Sequence, residues 1–92
     1  MQVSPADAAR IFAKLKVVDK PSTHHVTGWL VVEGRRVLPL HYSRGRKDMH
    51  GRVAHLFRKS LHVTPAEYAD LVSCPLSREK YLELLRERGI LT

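Results

Sequence analysis

Ninety-two residues suit one small domain, and a 43% apolar fraction still permits a core. No apolar run is long enough to cross a membrane. The formal charge of +7 is concentrated in residues 34–59, which hold eight Lys and Arg against Asp48 alone. That is the footprint of a phosphate-binding face, with a plain solvated face as the blander alternative.

Ser4-Pro5-Ala6-Asp7 combines an N-cap, a proline at N1 and an acid in the first turn, predicting a helix over 5–16. Ala8, Ile11, Phe12 and Leu15 give it one apolar stripe. Residues 20–25, Lys-Pro-Ser-Thr-His-His, read as a polar loop. The β-branched and aromatic run over 26–32 predicts a strand, Glu33-Gly34 a turn, and 35–40 a returning strand. Pro39 cannot donate a ladder bond, which places it at an edge or a strand end. Because a lone hairpin is marginal, a third strand is expected around 42–46. Next comes a helix over about 50–61, expected to pack through Val53, Leu56, Phe57 and Leu61. Thr64-Pro65-Ala66-Glu67 is a capping box opening a further helix, which Pro75 ends. Ser77 caps a last helix, stopped by Gly89. The expected fold is α+β, a small antiparallel sheet with extra C-terminal helices.

His24 and His25 put groups that change charge near neutral pH beside the basic block. On an extended segment adjacent side chains diverge, so only one of the two can face a given site. His41 falls at the end of the second strand, as an acid/base group or as an ordinary strand-end residue. His50, His55 and His62 read as surface residues. Arg35, Arg36, Arg44, Arg46, Lys47 and Arg52 are candidates for holding phosphates. Trp29 is either a stacking platform or, as a lone Trp in a strand, part of the core. A metal site lacks converging ligands, with one cysteine and no His-Glu-x-x-His. That one cysteine, Cys74, rules out an internal disulfide and reads as a small buried residue. With no signal-peptide pattern, it fits a cytoplasmic protein.

The residues resemble the HicA-type mRNA interferase toxins, small α-β-β-β-α domains that look like double-stranded-RNA-binding folds. The matching pieces are Ser22-Thr23-His24-His25, the run from Gly34-Arg35-Arg36 to Pro39-Leu40-His41, and Arg46-Lys47-Asp48. Arg58-Lys59-Ser60-Leu61-His62-Val63 and Thr64-Pro65-Ala66-Glu67-Tyr68 follow in the same order. The resemblance covers about 5–72; residues 75–92 lie outside it. Ser22 and His62 stand where the family has glycine. The resemblance implies a double-stranded-RNA-binding-like fold and an endoribonuclease acting on mRNA without a metal or other cofactor. It makes His25 the catalytic histidine and implies neutralisation by a HicB-like antitoxin; position alone makes His41 or His24 a candidate second acid/base group. A non-catalytic RNA- or DNA-binding module using the basic block alone is the second reading. A protein-interaction domain meeting an acidic partner is a weaker third.

Overall fold

The computed structural model describes residues 2–43, 45, 47–73 and 75–91. Arg44, Arg46 and Cys74, singled out from the sequence, lie outside the described residues. The first helix, α1 (Pro5–Lys14), starts where its caps predict, with the Asp7 amide donating to the Ser4 hydroxyl at 3.0 Å. Two strands of two residues, β1 (Gln2–Val3) and β5 (Met49–His50), pair antiparallel and lie apart from the main sheet.

That main sheet has three antiparallel strands in the order β2 (Val18–Pro21), β3 (His25–Val32) and β4 (Arg35–Ser43). Its third strand therefore precedes the histidine loop instead of following the hairpin, correcting the expectation of a strand around 42–46. Residues 42–43 simply prolong β4, whose alternation carries on through His41, Tyr42 and Ser43. Asp, Lys and Pro are poor strand formers, so β2 owes its conformation to pairing with β3. Pro39 lies on an edge strand, as its missing amide requires. Gly28 permits the close approach of β2. A Cβ there would meet Val17 Cγ1 and the Val18 carbonyl oxygen at 2.7 Å and Asp19 Cα at 2.9 Å.

Helices cover one face of the sheet. α2 (Gly51–Ser60) and α1 pack on β4, and α3 (Pro65–Val72) packs on α1. Edge-to-face contacts run from Phe12 to Tyr42 at 4.8 Å, then to Phe57 and Tyr68 at 6.5 Å each, tying α1, β4, α2 and α3 together. α2 is rotated from its expected phase. Ala54, Phe57 and Leu61 are buried, whereas Val53 and Leu56 are 53% and 52% exposed. Small Ala54 fits the close contact that a larger residue would prevent, and this turns Leu56 outward. Val53 and Leu56 then flank an apolar depression of about 220 Å³ beside His41, Tyr42 and Ser43 of β4. His62 follows α2 with φ +60°, so it takes the left-handed conformation usually given to glycine.

α4 (Arg78–Glu87) is anchored from its first turn. The Arg78 guanidinium donates to the Leu15 carbonyl at 3.0 Å and the Val31 carbonyl at 3.1 Å. Lys14 Nζ likewise donates to the carbonyls of Leu71 at 2.7 Å, Leu76 at 3.0 Å and Ser73. These two cations hold the helical layer together. Burial in that layer pushes the Tyr68 phenol up to about 12, and the Tyr81 phenol higher still. The Tyr81 hydroxyl donates to the Leu61 carbonyl at 2.7 Å, whereas the Tyr68 hydroxyl is buried with no partner among the described residues.

Candidate nucleic-acid interface

Strand alternation sends one set of side chains away from the helices. In β3 the inward residues are Val26, Leu30 and Val32, and the outward ones are His25, Thr27 and Trp29. Register places Val18 of β2 beside Trp29, and Lys20 beside Thr27. On the other side Thr27 pairs with His41 and Trp29 with Pro39. Trp29 is 37% exposed, so it belongs to this outer face and not to the core.

A β-bulge decides which arginine joins it. Leu30 pairs with Leu38, but Val31 pairs with Arg36, so Val37 is the extra residue of β4. Val37 and Leu38 both turn toward the core, and Arg36 is delivered to the outer face. There its guanidinium carbon lies 5.3 Å from the centroid of the Trp29 ring, a cation–π contact. Val18, Lys20, Trp29, Arg36 and His41 line one shallow depression of about 460 Å³.

His25 and His41 are brought together at one end of this face, with ring centroids 6.4 Å apart and planes at 76°. Both are exposed. The turn into β3 fixes His25 locally. The Ser22 amide donates to the His25 carbonyl at 2.7 Å, and the Ser22 hydroxyl donates to the same oxygen at 2.9 Å. The His25 amide in turn donates to the Ser22 hydroxyl at 3.3 Å. Ser22 therefore supplies a side-chain clasp that a glycine could not, without a positive φ.

The other candidates lie outside the pair. His24 is exposed in the bend before β3. Arg35 is exposed at the far end of the hairpin, Lys47 in the loop after β4, and Arg52 on the first turn of α2 in the helical layer. Arg58, counted in the basic block, is structural: it donates to the Val63 carbonyl at 2.6 Å and bonds His55 Nδ1 at 3.1 Å. Lys20 was missed as a site residue, because nothing in its sequence context marks β2 as part of the sheet. Among the described residues no group of three or more His, Cys, Asp or Glu is placed to hold a metal ion. No helix among them is long and apolar enough to cross a membrane. Comparison with family models, curated proteins and solved structures finds no match to this chain.

Proposed function

We propose that the chain is a metal-independent endoribonuclease that binds single-stranded mRNA on the outer face of its sheet and cleaves it between His25 and His41. The observation that carries this reading is the pairing of those two imidazoles on an open face that also holds Trp29, Arg36 and Lys20. One histidine takes the proton of the ribose 2′-OH as the 2′-oxygen attacks phosphorus. The other gives a proton to the departing 5′-oxygen, leaving a 2′,3′-cyclic phosphate and a free 5′-hydroxyl. Lys20, beside Thr27 across from His41, offsets charge on the phosphorane, and Trp29 stacks on a base. In this reading the protein is a cytoplasmic HicA-type toxin, and a HicB-like antitoxin covers the outer face.

The test uses purified His25→Ala, His41→Ala and His24→Ala proteins on labelled mRNA with EDTA present. Loss of either paired histidine lowers the cleavage rate by ~10²–10⁴ while RNA affinity changes little. His24→Ala does much less. Full cleavage by His25→Ala removes the assignment. The Trp29–Arg36 stack favours one second reading, a non-catalytic RNA-binding module. Binding without cleavage by the parent would select it.

A further inference from the structure

The hairpin end of the sheet carries a second basic depression, of about 170 Å³, between the β3–β4 turn and the C-terminal end of α4. Arg35, Arg36 and Arg86 line it, with Glu33 as the acidic member. Among the described residues none of these three arginine side chains has an ion pair or a hydrogen bond; that of Arg36 has only the Trp29 ring. The contrast within the chain is clear, since Arg10, Arg58, Arg78 and Arg88 are each bonded to protein oxygens. Guanidinium groups that line one depression repel one another unless an anion sits among them, and their planar forks match phosphate oxygens.

Arg36 lines both this depression and the one around Trp29 and so borders each of them. Seven residue steps separate His25 from Val32 along β3, a run of about 23 Å at ~3.3 Å per residue. A run of that length accommodates several nucleotides, comparable to the low end of the ~4–16 that small folds take.

We propose that Arg35, Arg36 and Arg86 form a distal phosphate site for single-stranded RNA. The site would fix the register of the strand by holding a phosphate several nucleotides from the one between His25 and His41. This rests on the proposed RNA-binding function and adds to it a residue from α4, a segment beyond the HicA-like part of the sequence.

The experiment measures fluorescence anisotropy with 2′-O-methyl oligoribonucleotides, which lack the attacking hydroxyl, as a dinucleotide and as an octanucleotide. Arg86→Ala is expected to weaken octanucleotide binding about three- to tenfold and to lower its salt slope by ~0.7. The dinucleotide should lose less than twofold. Arg86→Glu should lose more than Arg86→Ala on the octanucleotide. Lys80→Ala, an exposed cation on the same helix outside the depression, should leave the octanucleotide slope at the parent value. Equal losses for both lengths, no loss in Arg86→Ala, or an octanucleotide that does not bind would each overturn the site. Failure of the two proposals is distinguishable. Cleavage lost in His25→Ala with parental binding by Arg86→Ala removes only the distal site. Length-dependent loss in Arg86→Ala with no cleavage by the parent removes only the nuclease.

Discussion

Gly28→Ala tests how the sheet supports the outer face. Carbon atoms pack at about 3.5–4.0 Å. The new methyl would lie 2.7 Å from the Val18 carbonyl oxygen and 2.9 Å from Asp19 Cα, both backbone atoms that no rotamer change can move aside. β2 must shift outward by roughly an ångström, which is overpacking of the kind that costs about 1–3 kcal/mol. For a chain of 92 residues each kcal/mol lowers Tm by roughly 4–8 °C, so a fall of about 4–24 °C is expected by circular dichroism. Because β2 carries Val18 and Lys20, RNA affinity should fall along with Tm. Gly34→Ala is the control: nothing lies within 4 Å of its added Cβ, and its φ of +78° alone costs about 1 kcal/mol. A Tm for Gly28→Ala within about 2 °C of the parent would refute the claim that β2 is held this close to β3.

His62→Gly should raise Tm, by relieving about 1 kcal/mol of left-handed strain at φ +60°; an unchanged or lower Tm counts against that backbone. Tyr81→Phe leaves the buried Leu61 carbonyl without its donor and should cost about 1–3 kcal/mol in urea unfolding. Tyr68→Phe removes an unpaired hydroxyl and should be neutral or stabilising by up to ~1 kcal/mol, so equal losses in the two variants would contradict the assignment. The Glu67 carboxyl is held below its ordinary value of 4.5, first by the hydrogen bond from Arg88 and then by the Thr64 amide. The unfolded chain therefore binds this proton more readily than the folded one. The stabilisation is complete above 4.5 and is lost as pH falls through the depressed folded value. Glu67→Gln should show a lower Tm at neutral pH and a smaller further loss in acid, read from Tm against pH.

What could be read from the sequence followed local chemistry. Ser4-Pro5, Thr64-Pro65 and Ser77 each set a helix start, because a capping side chain and its amide lie within three residues. The hairpin was legible from its β-branched run, but the facing of its arginines was not, because the bulge at Val37 breaks the alternation. The features that escaped depend on distant partners. β2 is a strand only because β3 pairs with it. The phase of α2 turns on Ala54, whose small side chain gives no signal in an apolar count. At the site, His25 could be singled out by its loop, but its nearness to His41 follows from the Thr27–His41 register. Charge counting also treated all the cations alike, although Lys14, Arg58 and Arg78 spend their donors on backbone carbonyls.

The extra residue in β4 makes the outer face depend on backbone register as well as on side-chain identity. A strand that alternates strictly back from Leu38 would turn Arg36 inward and Arg35 outward. Whereas loss of Val37 would leave Arg36 opposite Val31, regular pairing with Val37 retained would impose that pattern with no change to any site residue. The arginine stacked on Trp29 would be traded for its neighbour, and a cation would be driven at the core. The bulge therefore acts like a shift of reading frame, setting the outer face in one step where a series of substitutions would alter it gradually.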